Sequence, residues 1–165
     1  MNSLLSKPFT VLLPALAAFL LVQACGGGGD ANAQASAADP VEGVWESVVN
    51  VRDCSSGAPL RSFEGLTNLL RGGGVLAVNN QPPTQFGAAM GRWSAGASAG
   101  SYTIQFRFFR FNADGSPAGS QRVTHSWTVD GGGATATGTI AAQVLDPADN
   151  VIASICAQTT NTRVG

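Results

Sequence analysis

A chain of 165 residues allows one domain, or one domain with appendages. Charged residues make up only 12% against 44% hydrophobic, which argues against a solvated disordered protein and against helical bundles with charged faces. The formal net charge of -1 leaves no basic field for nucleic acid, so that class of partner is set aside.

Residues 1–24 read as an export signal. MNSLLSK supplies one positive charge at Lys7, and the apolar run Phe9 to Val22 is short for a membrane span. The run ends in VQAC, residues 22–25, followed by four glycines. VQAC resembles the lipobox of bacterial lipoproteins, with small Ala24 before Cys25 and apolar Val22 three residues before it. Val22 stands where that family prefers Leu, and Gln23 is not typical of it. The resemblance implies cleavage before Cys25 and lipidation of Cys25, a stable anchor because several acyl chains sit on one residue. The alternative is an ordinary secretory signal cut later, after Ala33-Gln34-Ala35.

With Cys25 lipidated, two cysteines remain, Cys54 and Cys156. In an exported chain they are expected to form a disulfide; the alternative is two unpaired buried thiols. Residues 25–40, GGGGDANAQASAADP after the cysteine, read as a flexible linker with a reach of about 20 Å. The folded domain is therefore expected over residues 41–165.

After Val41 no stretch shows a helical period. Short apolar runs separated by turn chemistry predict eight strands: 43–51, 61–70, 75–79, 90–95, 101–111, 120–130, 135–146 and 151–164. The connectors are rich in Gly, Pro, Asn and Asp, as hairpins require. The fold class expected is all-β, an eight-stranded antiparallel up-and-down barrel, with an eight-strand sandwich as the alternative. The loops after odd-numbered strands include the longer ones, RDCSSGAPL and NQPPTQFGAA among them, and would form an open mouth. The linker enters at the other, closed end, so the mouth would face away from the membrane.

The opening GVW, Gly43 to Trp45, is similar to the opening signature of the calycin superfamily, which includes lipocalins, avidins and fatty-acid-binding proteins. The resemblance implies that Trp45 plugs the closed end and that an Arg near the end of the last strand, here Arg163, packs across it. Strand alternation fits this. If Trp45 points inward, so do Ser47, Val49 and Val51, and Arg163 shares an inward face with Thr159, Ala157 and Ile155. Both cysteines then point outward. Placing Cys54 opposite Cys156 would put Arg163 opposite Ser47, a diagonal step from Trp45. Trp45 as ordinary core and Arg163 as a frayed terminal charge are the competing readings.

The candidate cavity is lined by Tyr102, Phe106, His125 and Trp127. Tyr102, Ile104, Phe106 and Phe108 share one face of the fifth strand, and Phe109 and Phe111 are left outside near the mouth. His125, the only histidine, shares an inward face with Val123, Trp127 and Val129. It either bonds a ligand's polar end or is a satisfied core residue. Small residues on the seventh strand either leave a cavity or accommodate the aromatic rings.

Catalysis is not expected, nor any cofactor or metal, since one histidine without a partner makes no metal site. GASAG, residues 96–100, has the letters of a nucleophile elbow but lies in a hairpin turn. DPADN, residues 146–150, clusters two carboxylates and reads as a turn. The leading expectation is a membrane-anchored barrel binding a small apolar ligand. The alternatives are an inhibitor of an exported hydrolase, docking through the 81–90 loop, and a structural envelope lipoprotein. The polar outward faces of the sixth to eighth strands argue against a membrane-spanning barrel.

Overall fold

Alternating side chains and turn-forming connectors produce eight strands. They are β1 (Gly43–Arg52), β2 (Pro59–Leu69), β3 (Gly74–Asn79), β4 (Ala89–Ala95), β5 (Ser101–Phe111), β6 (Pro117–Val129), β7 (Thr135–Leu145) and β8 (Val151–Arg163). The computed structural model describes residues 38–165. The expectations for the signal segment, for Cys25 and for most of the linker lie outside the described residues. Each strand pairs antiparallel with the next, and β8 returns to β1, closing the barrel. Closure pairs every strand on both sides and removes the exposed edges that an open sheet would carry. The β1–β8 ladder, from Trp45 opposite Arg163 to Arg52 opposite Cys156, separates the barrel from the sandwich.

The predicted strand ends lie within three residues of the observed ones. The largest difference is in β6, which begins at Pro117 rather than at Ser120. Pro117 pairs with Phe111 beyond a bulge, and a strand's first residue is where a missing N–H is tolerated.

Alternation places the core. Trp45, Ser47, Val49 and Val51 of β1 are buried while Val44, Glu46 and Val48 face out. On β6 Val123, His125, Trp127 and Val129 are buried in alternation, and Ser120, nearer the bulged start of the strand, is buried as well. On β8 it is Ala157, Thr159 and Asn161. On β5 Tyr102, Ile104 and Phe108 are buried and Phe106 is half-buried, while Phe109 is exposed.

The disulfide between Cys54 and Cys156 is present, with Cα atoms 5.2 Å apart. The register around it differs from the expected one by two residues. Arg52, not Cys54, lies opposite Cys156, and Arg163 lies opposite Trp45, not Ser47. The cause is local: the chain leaves β1 at Asp53, whose Oδ1 accepts from the backbone N–H groups of Ser55 and Ser56 and so starts a turn. Cys54 therefore reaches Cys156 from that turn, not from a paired strand position.

The closed end carries the turns at 70–73, 96–100 and 130–134, together with residues 38–42. The open end carries those at 53–58, 80–88, 112–116 and 146–150.

Candidate functional site

The closed end is plugged from the residues upward. Gly43 has φ 123°, a left-handed conformation that favours glycine, and a Cβ there would meet Arg163 Nη1 at 2.8 Å. The missing side chain lets the guanidinium lie over the Trp45 ring, 4.5 Å from its centroid. Arg163 donates to the carbonyls of Gly133, Glu42 and Pro40, so its donors are turned away from the interior. Trp45 Nε1 donates to the Val41 carbonyl at 2.8 Å, and Val41 is fully buried. The Tyr102 hydroxyl donates to Asp39 Oδ1 at 2.5 Å. Burial first, and the Asp39 carboxylate second, push the Tyr102 hydroxyl up to about 12. Asp39 and Pro40, which composition assigns to the linker, thus belong to the plug. Gly43, Trp45 and Arg163 are brought together as the Gly-x-Trp resemblance implies.

Above the plug lies a polar layer. Trp127 stacks edge-on against Trp45 with ring centroids 5.3 Å apart. Its Nε1 donates to His125 Nε2 at 2.6 Å, and Thr159 Oγ1 lies 2.8 Å from the same nitrogen. Asn161 Nδ2 donates to Thr159 Oγ1 at 3.1 Å. An indole N–H can only donate, so the imidazole proton sits on Nδ1. Gly138 on β7 makes this possible, because a Cβ there would stand 2.8 Å from both His125 Nε2 and Thr159 Oγ1. Burial lowers the His125 pKa to about 3, so the ring is neutral at physiological pH.

Over this layer the barrel is hollow. A cavity of about 90 Å³ is walled by Val49, Phe63, Phe106, Phe108, Val123 and Ile140, among others. Small inward residues make the room: Gly65 on β2, Ala77 on β3 and Ala89 on β4 stand where larger side chains would fill it. Ser47 and His125 also line it, and the buried Ser47 Oγ has no hydrogen-bond partner. Arg61, Gln81 and Gln121 stand among the lining residues toward the mouth. Of the four residues expected to line a cavity, Phe106 and His125 do so. Tyr102 and Trp127 lie in the plug and its roof, because the β5 and β6 faces that carry them run on to the closed end. Ser47 was legible as inward-facing, yet nothing in its sequence neighbourhood marks it as unpartnered.

The later part of the loop between β3 and β4 is tied to β5, while Pro82, Pro83, Thr84 and Gln85 are exposed. Gly87 N–H donates to the Phe109 carbonyl and Phe111 N–H to the Gln85 carbonyl, which lays the loop along β5. Phe86 packs on Phe108, ring centroids 6.1 Å apart, and becomes part of the cavity wall. Elsewhere, Gly96 to Gly100 is the turn between β4 and β5, closed by Gly96 N–H to the Ser101 carbonyl. In the 146–150 turn, Asp146 caps the N–H groups of Ala148 and Asn150, and Asp149 pairs with Arg107 at 2.5 Å. No group of three or more metal-ligating side chains occurs among the described residues.

Fold and site together define an eight-stranded antiparallel β-barrel with an internal chamber, consistent with a calycin-like domain. The chain matches no protein-family model and no curated protein.

Proposed function

We propose that this chain is an exported lipoprotein, held at the outer membrane by acyl chains on Cys25, whose barrel carries a small apolar ligand and performs no catalysis. The observation that carries the ligand half is the chamber: apolar walls over a polar layer that holds an unpartnered hydroxyl. Concave, mostly apolar sites with a few fixed polar groups are what small-molecule binding requires. The anchor half rests on VQAC at residues 22–25 and the glycine tract after it. The plug lies at the barrel end where residues 38–42 enter.

A second reading, a protein-contact module such as an inhibitor of an exported hydrolase, is supported by hydrophobics exposed toward the mouth end: Leu60, Phe109, Val151 and Ile152. The 81–90 loop favours the ligand reading instead, since Phe86 turns into the barrel.

Two variants test the proposal. Cys25→Ala should move the chain from the membrane fraction to the soluble one. Ala77→Leu, which fills the chamber, should abolish the fluorescence gain that N-phenyl-1-naphthylamine, seated there by one ring with the rest projecting through the mouth, is expected to give with the unaltered chain. A Cys25→Ala chain that stays membrane-bound would sink the anchor; equal probe uptake by both chains would sink the chamber.

A further inference from the structure

The chamber has walls and a floor of different chemistry, and the floor restricts what can enter it. Ser47 and His125 each stand one inward step toward the mouth from a tryptophan of the plug, Trp45 on β1 and Trp127 on β6. Thr67, opposite Trp45 on β2, lines the same space. Ser47 and His125 are each 4% exposed. The Ser47 hydroxyl is unpartnered, and His125 uses Nε2 for Trp127 and Thr159, which leaves Nδ1 as its proton-bearing nitrogen. Leaving a buried hydroxyl unpaired costs stability on the order of 1–3 kcal/mol, so such a group invites an explanation other than folding.

The floor holds no positive charge. His125 is neutral because burial disfavours its cation. Arg163 is separated from the chamber by Trp45, and its donors are occupied by three carbonyls. A carboxylate brought there would be buried without a counter-ion, which is strongly unfavourable. An uncharged oxygen would instead give the Ser47 hydroxyl the partner it lacks. The cation among the lining residues is Arg61, toward the mouth, over the Phe63 ring at 5.5 Å.

We infer that the chamber selects an uncharged amphipathic molecule, a short aliphatic or single-ring alcohol or carbonyl compound, with its oxygen down at Ser47 and His125 and its apolar part toward the mouth. The inference rests on the ligand-holding reading above and names the ligand class. A chamber of this volume takes a single ring or short chain, and anything longer projects through the mouth.

The test is calorimetric titration of the chain from Gly26 onward, exported behind a conventional secretory leader so that no anchor is added. The probes are octan-1-ol, octanoate and a short-chain hydrocarbon at pH 7. Octan-1-ol should bind at least about fivefold tighter than either of the others, the scale of one net hydrogen bond. Ser47→Ala and, separately, Thr67→Val test the floor. Ser47→Ala should remove most of the alcohol's advantage, leave hydrocarbon binding unchanged and leave the denaturation midpoint unchanged or raised. Octanoate binding as tightly as octan-1-ol, with sensitivity to Arg61→Gln and not to Ser47→Ala, would reverse the orientation and overturn the inference while sparing the chamber. Binding of none of the three would overturn the ligand-holding reading itself.

Discussion

His125 is the residue through which this barrel responds to acid. Its ordinary pKa of 6.5 falls to about 3 on burial. Above pH 6.5 the ring is neutral in both folded and unfolded chains. Below it, the unfolded chain takes up a proton that the folded chain refuses until about pH 3. Stability is therefore full above pH 6.5 and falls by about 1.4 kcal/mol per pH unit across that window. The carboxylates of Asp53, Asp114, Asp130 and Asp146 are also held below their usual range by hydrogen bonds, so their effect comes in more acid solution than that of His125. Between pH 6 and 4.5 the slope belongs to His125, the only histidine. Urea midpoints measured across that interval should fall in the unaltered chain and stay nearly flat in His125→Gln, whose amide still accepts from Trp127. Equal slopes in the two chains would mean that the ring is not buried as described. The sequence made His125 legible as inward-facing by alternation alone. Its bond to Trp127 was not legible, because residues two apart on a strand bond only when the ring torsions and Gly138 opposite permit it.

At the scale of the element, the β1–β8 seam joins the two ends of the barrel. It carries the ladder from Trp45 to Arg52, the Arg163 stack on Trp45 and the disulfide. The cystine spans 102 residues of sequence, so in the chain-entropy picture it removes much of the freedom of the unfolded state. Reduction, or Cys54→Ser with Cys156→Ser, should lower unfolding free energy by about 4–5 kcal/mol, read from denaturant midpoints with and without reductant. Coincident midpoints would show that the bridge does not constrain the unfolded chain. Strand faces were readable for Trp45, Ser47 and Cys156, which fall on the sides that period-two alternation assigns, whereas Cys54 lies in the turn after β1, where alternation assigns nothing. Register was not, because it depends on where β1 stops. The signal for that stop was present in Asp53-Cys54-Ser55-Ser56-Gly57, a run of turn-forming residues. The plug segment was hidden for a related reason. Asp39 and Pro40 have linker composition, and their long-range partners, Tyr102 and Arg163, come from the barrel end, which local sequence does not show.

For the molecule as a whole, the architecture follows from local signals that agree with one another. Eight alternating segments joined by short connections leave closure as the arrangement that pairs every strand. The outer surface divides in two. Ser126, Thr128, Thr137, Thr139 and Thr160 cover the outside of β6–β8, whereas Leu66, Leu76, Val78 and Met90 stand exposed on β2–β4. The chamber was the part that sequence left open. Whether Phe106, Phe108 and Ile140 meet across the barrel or stand back depends on the summed volume of facing residues such as Gly65, Ala77 and Ala89. No single strand records that sum. The central claim, that the chamber exists to be occupied, is tested most directly by native mass spectrometry of the chain from Gly26 onward, exported to an oxidising compartment and purified without detergent. The account predicts a discrete extra mass that is lost on unfolding, on a chain two hydrogens lighter than its reduced form. A bare mass at that oxidised value, unchanged after incubation with octan-1-ol, would contradict it and shift the function to the barrel's outer surface.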